Sequence, residues 1–592
     1  MQSKATLALT FVLTALLCLI AVQPALGQQT MLQQYWVNNY GSWAPVSTNY
    51  YAWQVLGQAQ PDECFFGVGN PNNLASFEAA YPGSLSTGYN QCSFNGSQGS
   101  PKVNQAYLWG LTAHNSDLWF GTIANTLCLV MEAMGQTQPL LENELVCEGP
   151  GKDVRPPRIF NYNTATGTLT DMTSLVLDAG PPHSTRLLQT IGLRSAGSLG
   201  NVVILAGISP TGVAMFAFNA QTKKFIGSIV FDGSVSNGVT LPVYNNIRQW
   251  IVVHNQLYVG VATGAAEGLF GNSSGAILRW TGNAASPFQF QTVGTVPGDP
   301  AYLTYFNNSI FVSTWGGPAS SDGTVLCMSP QFTTQLSPST AQWPTVWQLS
   351  NYEVEPSAGM AGGAIMGFDG WLYFTTMLPP GAQMEQFLAL YPSAPTDDAS
   401  LVNDFLGSYR PTEMFRGKNF GTPNQQIQLL YGNQFLPKYN STSNQWALVP
   451  NNLNQLPLWG FAGYNDFFNS YTWWMQTYNN ELFIGTFNWD DLLFEEFFYQ
   501  YGQNIPPQII NAARNYEGAD LLRLHSSSST PVFLSLNGMG NFSNYGIRTM
   551  IPVNNYLYLG TANPFNLLTT PGGEYGGWEL LQLWPTTFGG VE

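Results

Sequence analysis

The chain has 592 residues, with 18 Lys plus Arg against 34 Asp plus Glu and a net charge of −16. No basic cluster interrupts that acidity, which argues against nucleic acid or an anionic membrane surface as partner. Aromatic residues reach 14% while charged residues are only 9%, a composition for a large packed core and not for a disordered chain.

Residues 1–27 read as a signal peptide. Lys4 supplies the positive start, residues 7–22 are apolar, and Ala25-Leu26-Gly27 gives small residues at the exit, so the exported chain is expected to begin at Gln28. No later stretch is long and apolar enough to span a bilayer, and the C-terminus lacks a lipid-anchor tail. The expected location is extracellular. In an oxidising compartment Cys64 is expected to pair with Cys92 and Cys128 with Cys147, with Cys327 left as a buried thiol inside a strand. Acceptor sequons stand at Asn95, Asn272, Asn307, Asn440 and Asn541.

Residues 28–105 are rich in Asn, Gly and Tyr. A strand from about residues 33–58 is expected there, built around Tyr50-Tyr51-Ala52-Trp53-Gln54-Val55-Leu56. Beyond it one phrase recurs, clearest as Leu557-Tyr558-Leu559-Gly560-Thr561. Its copies are Leu118-Trp119-Phe120-Gly121-Thr122, Ile204-Leu205-Ala206-Gly207, Leu257-Tyr258-Val259-Gly260, Ile310-Phe311-Val312-Ser313-Thr314, Leu372-Tyr373-Phe374-Thr375-Thr376 and Leu482-Phe483-Ile484-Gly485-Thr486. Each is an aromatic and β-branched run of the kind that forms buried strands. Most follow a turn such as His254-Asn255, Asn307-Asn308, Asp369-Gly370, Asn479-Asn480 or Asn554-Asn555, and another apolar run precedes the turn. A third strand and a weaker outer run follow. Four antiparallel strands per unit, repeated about seven times, predict an all-β protein of the β-propeller class, spanning residues 106–592.

The units run roughly 106–185, 186–243, 244–297, 298–355, 356–465, 466–540 and 541–592. The last stops soon after its third strand, so the N-terminal strand is expected to complete it and close the ring. Long insertions are expected near 379–425 and 487–518; Gln428-Leu429-Leu430-Tyr431, just after the first, reads as that unit's delayed outer pair or as an eighth small blade. Residues 492–498 look helical, with Pro506-Pro507 as an interruption. Insertions concentrate between the second and third strands, which selects one face for binding.

Residues just past the repeated phrase are therefore the binding-face candidates: Asn125, Trp315, Asn488, Trp489, Asp490, Asp491 and Asn563. Asp490 and Asp491 could serve as acid and base toward a sugar, or simply cap the helix before Leu492. Gly271-Asn272-Ser273-Ser274-Gly275 matches the nucleophile-elbow pattern, but it lies in a loop that leads into a strand. His114 and His254 share a hairpin slot, which reads as turn structure, and neither a metal site nor a cofactor is expected.

Cys64-Phe65-Phe66-Gly67-Val68-Gly69-Asn70, then Pro101-Lys102-Val103-Asn104-Gln105-Ala106-Tyr107-Leu108-Trp109-Gly110-Leu111-Thr112 and residues 118–128, resemble a group of secreted fungal and bacterial propeller-like proteins without an assigned activity. The resemblance implies the architecture and secretion, and carries over no catalytic residue. The leading expectation is an extracellular binding or scaffold protein for a glycan or a protein partner. The alternatives are a glycan hydrolase or lyase using Asp490, Asp491, Glu574 or Glu579, and a structural matrix or coat protein.

Overall fold

The computed structural model describes residues 30–71, 73, 92–94, 97–133, 137–142, 144–236, 238–264, 274–316, 323–355, 360–378, 380–494, 505–569 and 575–586. These residues form an all-β, propeller-like protein. Its body is a series of seven four-stranded antiparallel meanders. Their first strands are Gln105–His114, Gly192–Leu199, Asn246–Val253, Asp299–Phe306, Ala361–Phe368, Asn469–Tyr478 and Gly546–Val553. Each lies beside the first strand of the next sheet, and Gly546–Val553 lies beside Gln105–His114. The fourth strand of the last sheet comes from the other end of the chain: Tyr51–Gln58 pairs antiparallel with Glu579–Pro585, Trp53 opposite Leu583.

Local chemistry accounts for the hairpins. First and second strands join through two-residue turns whose leading residue has positive φ: Asn115 (52°), Gly200 (56°), His254 (49°), Asn307 (49°), Asp369 (46°), Asn479 (52°) and Asn554 (54°). That geometry matches the twist of the flanking strands and favours Asn, Asp and Gly. Second strands are buried on both faces, as Ile204, Leu205 and Ala206 show at 0% exposure, because every sheet is packed between two others.

The glycine of the repeated phrase has a packing role. A Cβ at Gly121 would stand 2.3 Å from Leu193 Cβ, one at Gly260 2.5 Å from Pro300 Cβ, and one at Gly485 2.8 Å from Ile547 Cβ. A Cβ at Gly560 would meet Leu108 of the first sheet at 2.6 Å. At each place the next sheet's first strand sits where a side chain would be.

Three expectations need correction. Residues 33–58 are not one strand: Met31–Tyr40 is a helix with a Thr30/Gln33 capping box. It is anchored by Trp36 Nε1 donating to Leu406 O (2.8 Å) and Tyr40 OH donating to Ala462 O (3.1 Å). The stretch 379–425 is not all insertion: after helices Ala382–Leu390 and Asp398–Ser408 it contains the third strand Met414–Lys418, whose Arg416 and Lys418 disguise it. Gln426–Tyr431 is the fourth strand of that sheet, so of the two expected alternatives the delayed outer pair holds; the hairpin Phe435–Asn440/Gln445–Pro450 forms a separate two-stranded sheet. In the sixth unit Pro507 opens a helix, Pro507–Ala513, instead of interrupting one, since proline at a first turn loses no hydrogen bond.

Two disulfides, Cys64–Cys92 and Cys128–Cys147, staple the N-terminal lead-in and the first long loop; Cys327 is a buried free thiol. Among the described residues no helix is long and apolar enough to cross a membrane.

Gly121→Ala should destabilise the protein by about 1–3 kcal/mol through overpacking against Leu193. Leu559→Ala, at a fully buried site, should cost about 2–5 kcal/mol through a cavity. Denaturant midpoints check both.

Candidate functional site

A cavity of about 420 Å³ is lined by residues from the first strands of all seven sheets. A second, of about 170 Å³, shares Trp109, Arg194 and Arg248 with it and is bounded by the loop-side residues Leu127, Trp315, Pro380 and Leu492. The two cavities meet at those three residues, which form a waist in a common channel.

The waist is set by strand register. All seven first strands carry an irregularity near the start, between Leu108 and Gly110, Gly192 and Ser195, Ile247 and Trp250, Pro300 and Tyr302, Gly362 and Ile365, Thr472 and Trp474, and Ile547 and Thr549. A bulge leaves a residue outside the ladder and re-aims its side chain. The residue six places before each hairpin turn falls in that irregularity: Trp109, Arg194, Arg248, Ala301, Gly363, Trp473 and Arg548. Three arginines and two tryptophans at this position thus line one cavity.

Arg248 is held on several sides. Its Nε donates to Ala301 O (3.1 Å) and its Nη2 to Tyr302 OH (2.9 Å) and Tyr471 OH (2.7 Å). Arg194 Nη1 donates to Asn246 Oδ1 (2.8 Å), and Asn246 Nδ2 donates in turn to Asp299 Oδ2. Arg548, 2% exposed, has no hydrogen-bond partner at Nε or Nη1. Trp315 lies under two of the cations, its ring centre 4.0 Å from Arg248 Cζ and 5.0 Å from Arg194 Cζ; Arg548 Cζ is 5.6 Å from the Trp473 ring. Burial, then the charges of Arg248 and Arg548, hold Arg194 well below the usual guanidinium range. Burial likewise pushes Arg548 down to about 10. These are cations held against their solvation preference. Tyr107 and Tyr545 meet hydroxyl to hydroxyl on the same wall. No Asp or Glu is among the described lining residues of either cavity.

Of the seven residues expected at the mouth, Trp315 alone lines the channel. The others are buried beneath the rim as brackets for the loops. Asn125 Nδ2 donates to Asn104 Oδ1 and Asp153 O. Asn563 Nδ2 donates to Tyr575 O (2.8 Å). Asn488 Nδ2 donates to Asp466 Oδ2 (2.6 Å), and Trp489 Nε1 donates to Tyr409 OH (2.8 Å). Asp490 and Asp491 open the helix Asp490–Phe494, and Asp490 Oδ1 accepts from the backbone N–H of Asp491 and Gly518. Glu579 is buried and accepts from Asn544 Nδ2 (2.7 Å); Glu574, and residues 271–273 of the elbow-like loop, lie outside the described residues. At the end of the second strand an Asn side chain hydrogen-bonds backbone groups of the neighbouring loop.

Asn307 is exposed in a turn, and Asn440 is exposed at the end of the strand Phe435–Asn440. Asn541 is not a usable sequon, because it is buried and its Nδ2 donates to Tyr575 O (2.8 Å). Asn95 and Asn272 fall outside the described residues. Among the described residues no group of three or more His, Cys, Asp or Glu is placed to hold a metal ion.

The three channel arginines had a sequence signature that went unread. Leu193-Arg194, Ile247-Arg248 and Ile547-Arg548 are aliphatic–arginine pairs at one repeat position, in a chain with only 18 basic residues.

No protein-family model matches the chain, and no curated protein matches it. Among solved structures, the polysaccharide lyase Uly1 aligns over 91% of this chain and 100% of its own, at 9% identity and a TM-score of 0.39. The PQQ-bound aldose sugar dehydrogenase of Streptomyces coelicolor aligns over 70% of this chain and 96% of its own, at 12% identity and a TM-score of 0.27. The β-propeller domain of the trilobed protease of Pyrococcus furiosus aligns over 57% and 89%, at 9% identity and a TM-score of 0.24. Likenesses this distant leave the chemistry to be argued from the chain's own residues.

Buried carboxylates near the rim set a pH dependence. Burial pushes Asp404 up to about 6 and raises Asp466, Asp490 and Asp520 above the usual carboxylate range. Folding therefore favours their protonated forms. Their contribution is full below the ordinary Asp value of about 4 and is lost as pH rises through the raised values. The melting temperature should be higher at pH 5 than at pH 8. Asp404→Asn, which keeps the acceptor for Trp446 Nε1, should flatten part of that slope.

Proposed function

We propose that the seven sheets form a ring of blades closed by the N-terminal strand, and that the protein, exported from the cell, binds a glycan in the loop-side cavity of the axial channel. The observation that carries this reading is the cavity's lining. Indole rings of Trp109, Trp315 and Trp473 stand beside guanidinium and phenol donors. Sugars offer apolar faces for stacking and oxygen atoms for hydrogen bonding, and such a lining serves both. A volume of about 170 Å³ matches roughly five or six waters of liquid, the scale of one sugar ring. The apolar N-terminal stretch, the two disulfides and the exposed sequons at Asn307 and Asn440 support export.

Binding is preferred over paired-carboxylate hydrolysis because the described channel lining supplies no carboxylate pair. A glycan panel read for both retention and product mass tests the reading. Wild-type protein should retain a subset of glycans with unchanged mass. Trp315→Ala should weaken retention about tenfold or more, since a stacked aromatic contributes on the order of 1–3 kcal/mol. Asp490→Asn and Asp491→Asn should leave affinity unchanged in the folded fraction. Retention of no glycan would refute the proposal, and shortened or unsaturated products would replace binding with a glycan-active enzyme.

A further inference from the structure

We infer that the cavity selects glycans carrying an anionic group, a carboxylate or a sulfate ester, which Arg194, Arg248 and Arg548 hold at the waist of the channel. The inference rests on the glycan reading and names the class within it. Its ground is a contrast in how this chain treats buried arginines. Arg155 is locked to Glu63 at 2.7 Å and Arg410 to Glu353 at 2.9 Å. Among the described residues no ion pair includes Arg194, Arg248 or Arg548.

Three guanidinium groups in one enclosed space repel one another, and each loses hydration that neutral partners replace only in part. One carboxylate, Asp299, is tied to Arg194 through Asn246, and its charge also acts on Arg194 and Arg248. Trp315 and Trp473 soften the cost through their ring faces. Positive charge nevertheless exceeds negative at the waist of a molecule whose net charge is −16. An anion is the missing complement, and the planar fork of arginine suits carboxylate and sulfate oxygens.

The three residues divide the work. Arg248 is pre-positioned by Tyr302 and Tyr471, so it meets a ligand without rearranging. Arg194 is the more exposed and touches both cavities. Arg548 keeps two donor nitrogens without partners in a 2% exposed side chain that lines the cavity, which makes it the most direct reporter.

The test is titration calorimetry on the full exported protein. The probes are oligogalacturonate, the same chain with its carboxyls reduced to alcohols, and a sulfated oligosaccharide. An anionic probe should bind at least about tenfold more tightly than the neutral chain, with affinity falling as salt rises. Arg548→Gln should lose about tenfold or more, Arg548→Lys should recover part, and Arg194→Gln should lose a similar amount. Without ligand, Arg548→Gln should melt at the same or a higher temperature, because removing a buried cation that lacks its counter-charge relieves strain; a purely structural arginine would lower it. Equal affinity for charged and reduced chains, or an Arg548→Gln protein that binds like wild type, overturns the anion inference and leaves the glycan reading standing. If no glycan binds but inorganic sulfate raises the melting temperature in an Arg548-dependent way, the glycan reading falls and the anion site stands. Absence of both effects overturns both.

Discussion

The structure depends on one antiparallel pairing, that of Tyr51–Gln58 with Glu579–Pro585. The last meander has three strands of its own, and a three-stranded sheet there would present an open row of backbone donors and acceptors. The borrowed strand covers that row and ties the two ends of the chain to one sheet. Next to it, Gly560 admits Leu108 in the way Gly121 admits Leu193, so the last and first sheets meet by the same kind of contact as the first and second. The proposed ring needs no special joint.

A second constraint shapes the channel. A regular strand alternates its side chains, so a residue at a fixed place would point inward or not according to register alone. The irregularity near the start of every first strand frees one position from that alternation. The chain then writes whatever chemistry it requires at that position without altering the ladder on either side. Here it wrote arginine in three sheets, tryptophan in two, and alanine and glycine in two. The core of each sheet repeats while the residue at the axis varies, so packing and recognition are separable on this scaffold.

Much of the architecture was legible because turn chemistry and apolar patterning agree. Asn-Asn and Asp-Gly turns before Leu-Tyr-x-Gly-Thr phrases fix the hairpins, and cysteine spacing suggested the two bridges that the structure contains. The third strand of the fifth sheet was missed because Arg416 and Lys418 interrupt its apolar pattern; there, tertiary packing decides what propensity does not. The rim candidates other than Trp315 do not line the cavities. Asn125, Asn488 and Asn563 follow the second strand at a rim position, but hydrogen-bond accounting pulls them inward to serve backbone groups. The arginines stayed hidden because a bulge leaves no mark in a single strand's composition; only alignment of the repeats on their turns brings Arg194, Arg248 and Arg548 into one column.

The shared last sheet also has a consequence in time. Tyr51–Gln58 is made before every strand of the meanders, and its partner Glu579–Pro585 is made after the other six sheets. Earlier meanders are built from neighbouring segments and are free to form as they emerge. The final pairing must instead wait until the other sheets have been made, although the entropy of joining such distant segments grows only with the logarithm of the separation. Until then an early strand and a late sheet edge both stand open to wrong partners. The last pairing of this fold is therefore between a strand made before the meanders and a strand made after them.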